Sequence, residues 1–347
     1  MKKALFIRRD NIGDLVCTTP AIRAFKVAHP ECGVSVLVNS YNAEVVANNP
    51  DVDKVFVYEK AKHSGAALSS HLKNLALFMR LRRERFDVAF ACSYDYSQRA
   101  ARLAFLSGAR LRVGYATAKD ASARIFLNRP LPAPPDGLHE VEGIIGLLAP
   151  FGVKSTPPKM VLNPLPSERE KALLYLKRTG LKNPEDAVIF QISSRKPENR
   201  WPVERYKELA VLIDDRLKLP VILLWSPGDS RNKFHPGDDE AAEWLISNMK
   251  TRPYPYRTES LSELVAVMSF GAVAVTPDGG AMHMAAALGK PIVAVWGSTD
   301  PAKWAPWGVR HRILQKGSLK ASDVTAEEAF SALMSLLSGA GQKGGSK

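Results

Sequence analysis

Short β-branched, apolar runs alternate with longer amphipathic segments along most of the chain. Several runs are apolar over their whole length, the pattern of parallel strands covered on both faces. The spacing predicts strands at 4–8, 34–39, 54–58, 88–92 and 111–115, then at 187–192, 221–225, 272–276, 292–296 and 311–314. Helical periodicity lies between them at 20–28, 72–83, 168–178, 203–217, 261–268 and 281–288. A βαβα pattern therefore occurs twice, which argues for two doubly wound α/β domains.

The junction between them is marked by proline. Segments 131–137 and 156–166 are Pro-rich connectors flanking a helical stretch at 139–148. This places a first domain over residues 1–165 and a second over 166–338. Thr325-x-x-Glu328 reads as a capping box opening a last helix that runs to Leu337. The Gly/Lys/Ser-rich tail 339–347 is expected to be disordered.

Composition narrows the class. Apolar residues make up 46% and charged residues 24% of 347, which suits a globular protein and excludes collagen, coiled coil and wholesale disorder. Charge changes the picture more: 48 Lys+Arg against 35 Asp+Glu give +13. Residues 1–165 hold 23 basic and 14 acidic groups (+9), and residues 166–347 hold 25 and 21 (+4). A basic first half implies an anionic partner, such as nucleic acid, acidic lipid or a phosphorylated saccharide, unless the charge serves solubility alone. Cys17, Cys32 and Cys92 are odd in number and form no CxxC pair, which fits a reducing compartment. The four apolar residues after Lys3 are too few for a signal-peptide core. No uncharged apolar run approaches the roughly 20 residues of a membrane span. A cytoplasmic protein without an anchor of its own is expected.

Familiar nucleotide and hydrolase signatures are missing. The turn after the first strand reads Arg9-Asp10-Asn11-Ile12-Gly13-Asp14, not GxGxxG; Walker A, HExxH and GxSxG are likewise missing. Asp51-Val52-Asp53 resembles a metal–nucleotide DxD, but reads as a solvated loop because no convergent oxygen ligands lie near it in sequence.

Ligands in open parallel sheets collect at the carboxyl ends of strands, and five such ends carry unusual residues. They are Gly13-Asp14; Ser193-Ser194-Arg195-Lys196 with Arg200-Trp201-Pro202; Asp229; Asp278-Gly279-Gly280-Ala281 with His283; and Ser298-Thr299-Asp300. Two glycines before a helix starting near Ala281 leave room for a ligand beside free N–H groups, an arrangement suited to a diphosphate. His283 falls in that first turn, either near the anion or as a satisfied half-buried histidine. Arg195, Lys196 and Arg200 are candidates to complete a phosphate clamp. Asp14 either serves the helix start beside it or acts as a general base. Trp296, Trp304 and Trp307 either pack in the core or stack on a sugar or base face.

The blocks Ile7-Arg8-Arg9-Asp10-Asn11-Ile12-Gly13-Asp14-Leu15-Val16, Arg200-Trp201-Pro202, and Asp278-Gly279-Gly280 through Gly297-Ser298-Thr299-Asp300-Pro301 resemble family 9 glycosyltransferases, the heptosyltransferases of lipopolysaccharide core synthesis. Ser107-Gly108-Ala109, Val113-Gly114-Tyr115 and His139-Glu140-Val141-Glu142 also resemble that family. The resemblance implies a GT-B architecture of two facing Rossmann-like domains with the active site in the cleft. It implies an inverting, metal-independent transfer with no resident cofactor. The implied donor is a nucleotide-diphosphate sugar, typically ADP-heptose, and the implied acceptor is an anionic lipid-linked core saccharide.

On this reading Asp14 is catalytic. Gly13, Ser193, Ser194, Lys196, Arg200, Asp229, Asp278, Gly279, Gly280, Ala281, His283 and Thr299 meet the donor. Arg8, Arg9, Arg99 and Lys119 meet the acceptor. Peripheral contact with the inner membrane surface is expected, and nucleic acid is not. The sequence departs from the family pattern at Asn199, where a phosphate-contacting Lys is usual. Rival readings are a nucleotide-sugar epimerase on the same fold, which leaves the basic first half unexplained, and a non-catalytic saccharide-binding protein.

Overall fold

The computed structural model describes residues 1–59, 67–153, 156–232 and 236–338. The first strand, β1 (Lys3–Ile7), is buried from Ala4 onward. It pairs in parallel with β2 (Gly33–Asn39) on one side and β4 (Val88–Ala91) on the other. β3 (Lys54–Tyr58) extends the sheet beyond β2, and β5 (Leu111–Tyr115) and β6 (Arg129–Leu131) extend it beyond β4. The order is β3-β2-β1-β4-β5-β6. Phe6 of β1, Phe90 of β4 and Phe25 of the helix Thr19–Ala28 form an aromatic core on one face, with centroids 4.9–5.6 Å apart.

A second sheet of the same kind follows. It comprises β7 (Val188–Gln191), β8 (Val221–Trp225), β9 (Tyr254–Arg257), β10 (Val273–Pro277), β11 (Ile292–Trp296) and β12 (His311–Gln315), in the order β12-β11-β10-β7-β8-β9. The chain separates into two compact units, Met1–Leu162 and Asn163 onward. The Thr325–Glu328 capping box forms in both directions: the Thr325 N–H donates to Glu328 Oε2 at 2.9 Å and the Glu328 N–H donates to Thr325 Oγ1 at 3.2 Å. The expected tail 339–347 lies outside the described residues.

Among the elements that escaped the sequence pattern are β6, β9 and two helices of nine and ten residues. β6 and β9 contain Pro130 and Pro255, and proline counts against a strand unless the strand is an edge, which both are. The helices Gln98–Leu106 and Asp239–Asn248 begin with polar or charged residues that read as loop. Among the described residues no helix is long and apolar enough to cross a membrane. All three cysteines are buried and outside any disulfide, and burial pushes the Cys92 thiol up to about 12, which leaves it an inert packing group.

Candidate active site

In each sheet the strand order reverses beside the first strand of its unit: between β1 and β4, and between β7 and β10. Such a switch point is where the loops at the carboxyl edge diverge and leave a crevice. The residues singled out after β1, β7 and β10 stand at these two places, while Asp229 follows β8.

In the first unit, Ile7 ends β1 and Arg8 follows it, only 3% exposed. Its guanidinium donates from Nη1 to the Cys92 carbonyl at 2.6 Å, and from Nη2 to Asp14 Oδ1 at 2.6 Å and Glu140 Oε1 at 2.8 Å. The loop between β1 and Asp14 is tethered by Asn39 at the end of β2, whose side-chain N–H groups donate to the carbonyls of Arg9 and Asp10. Asp14 stands in the first turn of the helix Ile12–Val16, where its Oδ2 accepts the Asn11 N–H at 2.9 Å. Asp14 therefore does serve the helix start. It also remains available as an acceptor, because each carboxylate oxygen has a second lone pair and the side chain keeps 13% exposure. Burial alone would push the Asp14 carboxyl up. The Arg8 guanidinium and the Asn11 N–H outweigh that and hold it below the usual carboxylate range.

Glu140 was not singled out from the sequence for any role. It is 1% exposed and opens the helix Glu140–Gly146. That helix is fixed at its start by His139, whose Nδ1 accepts the Val141 N–H at 3.1 Å, and whose own N–H donates to Glu142 Oε2 at 2.9 Å. Its flank is fitted by glycine. A methyl group at Gly143 would strike the Tyr94 ring, and the Tyr115 hydroxyl donates to the Gly143 carbonyl at 2.6 Å. The available signal was a pair of carboxylates, Glu140 and Glu142, at the head of an apolar helical segment running on through Gly143-Ile144-Ile145.

These positions correct one expectation and qualify others. Arg8 was expected to face the acceptor, but it is buried and ion-paired with Asp14 and Glu140, and at 3.7 Å with Asp10, so it positions Asp14 instead. Arg9 is half-buried with its guanidinium over the Tyr58 ring, 5.4 Å from the centroid. Arg99 and Lys119 are exposed on the segments that follow β4 and β5. Gly13 is buried in the first turn beside Asp14. Of the two acids in the DxD, Asp51 accepts from Arg23 at 2.8 Å, and Asp53 accepts from the Val34 N–H at 2.7 Å and from Lys26 at 3.1 Å. Among the described residues no group of three or more His, Cys, Asp or Glu side chains is placed to hold a metal ion.

In the second unit the centre is Asp278, buried at the end of β10. Asn199 Nδ2 donates to Asp278 Oδ2 at 2.9 Å and to its carbonyl at 3.2 Å, and Ser194 Oγ donates to the same carbonyl at 3.3 Å. Burial pushes the Asp278 carboxyl up against the opposing pull of Thr299, Lys196 and Asn199. Asn199 is 2% exposed and its Oδ1 has no hydrogen-bond partner. A side chain at this position points inward to Asp278. Gly297 makes room for it, since a methyl group there would overlap the Asn199 side-chain oxygen and lie 2.7 Å from the Glu198 carbonyl. The loop bearing these residues is anchored by Trp201, whose Nε1–H donates to the Val324 carbonyl at 2.9 Å and whose ring packs on Tyr206.

The helix Gly280–Ala287 starts directly after Gly279, and the space a Gly279 side chain would take is open. Gly279, Gly280 and Ala281 are partly exposed, while His283 is buried with its ring 5.9 Å from that of Trp304. Trp296 is fully buried and donates to the Thr299 carbonyl at 2.7 Å, so it belongs to the core.

Two residues expected to meet the donor, one of them in the phosphate clamp, are engaged within the protein. Arg200 is ion-paired with the buried Asp238, and Asp229 is ion-paired with Arg231. Burial pushes the Asp238 carboxyl up even with Ser193 and Arg200 as partners. Lys196 is exposed and near enough to act on Asp278. This leaves a helix start, one exposed lysine and a buried carboxylate with a hydrogen-bonded asparagine. An anionic leaving group and a polyhydroxylated ring suit that set.

A family model described as glycosyltransferase family 9 (heptosyltransferase) matches residues 74–333. Lipopolysaccharide heptosyltransferase 3 of Escherichia coli K12 is 22% identical over 299 residues, covering 85% of this chain and 82% of that protein. A solved glycosyl transferase family 9 structure from Veillonella parvula superposes with a TM-score of 0.84 at 21% identity, covering 97% of this chain and 98% of that one. E. coli heptosyltransferase WaaC with ADP superposes with a TM-score of 0.79 at 19% identity, over 96% and 99% of the two chains.

Proposed function

Because this chain belongs to glycosyltransferase family 9, the heptosyltransferases, we propose that it moves a heptose from ADP-heptose to an anionic, lipid-linked lipopolysaccharide core saccharide. The transfer is a single displacement. The acceptor hydroxyl oxygen attacks the anomeric carbon, the bond from that carbon to the diphosphate oxygen breaks, and the configuration inverts. Asp14 takes the hydroxyl proton. The observation that carries this reading is the Asp14 carboxylate, held ionised and fixed at the β1–β4 switch point by Arg8. A carboxylate that stays charged at neutral pH is ready to accept a proton as the new bond forms.

On the second unit, the start of the helix Gly280–Ala287 and Lys196 receive the diphosphate, and Asp278 and Thr299 face the sugar. Preorganised N–H dipoles there stabilise the charge that grows on the departing diphosphate. Arg200 acts indirectly, by holding Asp238. Arg9, Arg99 and Lys119 receive acceptor anions. The protein works in the cytoplasm, at the membrane that holds the acceptor.

The test is incubation with ADP-heptose, with and without heptose-deficient lipopolysaccharide. ADP release that requires the acceptor, with mass gain of one heptose on it, is the expected result. Donor isomerisation without acceptor, or no consumption of any nucleotide sugar, would overturn the reading.

A further inference from the structure

The helix Ala67–Glu84, which connects β3 to β4, has two opposite faces. It packs on its sheet through Asn74, Leu77 and Leu81, all buried. The outward face carries Leu72, Leu75 and Met79 at 61%, 57% and 50% exposure, spaced so that they form one stripe. Lys73, Arg80, Arg82 and Arg83 are exposed along the same segment, and no acid occurs between Leu72 and Arg83, although Lys73 is ion-paired with Glu59 beyond the end of β3 at 3.0 Å. The acid that follows, Glu84, is already bound by Lys3 and Lys54 at 2.7 and 2.8 Å. Beside the helix, edge strand β3 exposes Val55 and Val57, and Lys54, Arg80 and Arg83 line a groove between the two elements.

We propose that this face docks the protein on an anionic lipid bilayer, with Leu72, Leu75 and Met79 entering the headgroup boundary and Arg80 and Arg83 lying against lipid phosphates. Charge complementarity selects the occupant. The two acids at its border, Glu59 and Glu84, are held by Lys73 and by Lys3 and Lys54, so the charge left over on this face is that of Arg80, Arg82 and Arg83. An apolar stripe with a cationic surplus fits a surface that is apolar below and negative above. A protein interface of this size instead tends to be depleted in lysine and built around aromatic anchors. The helix runs antiparallel to the strands it connects, so its Leu72 end lies toward the carboxyl edge of the sheet, where Asp14 stands. A lipid-linked saccharide would then be presented on the side of the first unit that holds the base. The proposal deepens the membrane part of the function given above, and only this last point rests on that reading.

The experiment is vesicle co-sedimentation of the full chain, with no sugar present. Phosphatidylcholine vesicles are compared with phosphatidylcholine containing phosphatidylglycerol, at low and high salt. Binding is expected to require phosphatidylglycerol, to weaken at high salt, and to fall about tenfold or more in both Leu72→Glu/Leu75→Glu/Met79→Glu and Arg80→Glu/Arg83→Glu. Leu174→Glu, an exposed leucine of the second unit, should bind as wild type. Thermal melts of each variant check that the fold is kept. Equal binding to both vesicle types, undiminished binding by the helix variants, or loss of binding by Leu174→Glu would overturn the proposal. So would no sedimentation with any vesicle, or a change of oligomeric size on substituting the stripe, which would assign the face to a second copy of the chain. These negative outcomes leave the transfer reading standing, because its own assay contains no vesicle.

Discussion

Arg8 donates to Asp14 at 2.6 Å from a position with 3% exposure. The candidate base is thus paired with a cation that cannot move into solvent. The pair fixes both the orientation of the carboxylate and its charge.

Asp14→Asn keeps the shape and removes the proton acceptor. Its kcat should fall by at least about 10², the low end for loss of a general base, with nucleotide affinity little changed. Turnover and ADP titration on the same preparation check this, and near wild-type turnover would remove Asp14 from the chemistry.

The Asp14 carboxyl is lowered in the folded protein, so its contribution to stability is present above its unfolded value near pH ~4 and is lost as pH falls through the lower folded value. It therefore remains ionised across the neutral range. The kcat profile should show no acid limb from this group between about pH 5 and 8. A limb near pH ~6.5 that disappears in Asp14→Asn would contradict the assignment.

Removing the cation is costly because Glu140 is buried against it. Arg8→Met should destabilise the protein by about 3–5 kcal/mol by leaving an uncompensated buried charge. Arg8→Met/Glu140→Leu should lose clearly less than the sum of the two single variants, since the pair is removed together. Urea denaturation decides, and strictly additive losses would mean the two residues are not coupled.

Gly297 faces the Asn199 side chain and the Glu198 carbonyl with no room for a methyl group. Gly297→Ala should cost about 1–3 kcal/mol as an overpacking change and should weaken ADP binding by shifting the loop that holds Asp278. Unchanged calorimetric affinity and melting temperature would show that the loop yields freely.

Asp51 and Asp53 are engaged by Arg23, Lys26 and the Val34 N–H. Transfer is expected to survive excess chelator, because both acids of the DxD are engaged by cations or backbone and, among the described residues, no group of three or more His, Cys, Asp or Glu side chains is placed to hold a metal ion. A strict requirement for Mg²⁺ or Mn²⁺ would reopen both residues. In the same assay, acceptor KM should rise more steeply with salt than donor KM, as the screening length shortens from ~10 Å at 0.1 M to ~3 Å at 1 M. Equal dependence for both substrates would detach the basic first half from acceptor binding.

The sequence by itself determined the two parallel sheets, because apolar runs of strand length and amphipathic stretches of helix length are local patterns. It also located the carboxyl-edge segments, since Asp14, Ser194 and Asp278 directly follow predicted strands. The edge strands β6 and β9 escaped because their prolines are tolerated only where one ladder is missing, which depends on neighbours. The tertiary structure alone decided which charges meet. Arg8 and Glu140 are 132 positions apart, and Asn199 and Asp278 are 79 apart. Their pairing depends on strand order and on the glycines that let a helix or loop approach. The periodicity of hydrophobic residues says which face a side chain takes, but a buried ion pair is set by where two strand ends converge. For that reason Arg8 reads in the sequence as a cation for the acceptor and stands in the fold as the fixed partner of Asp14.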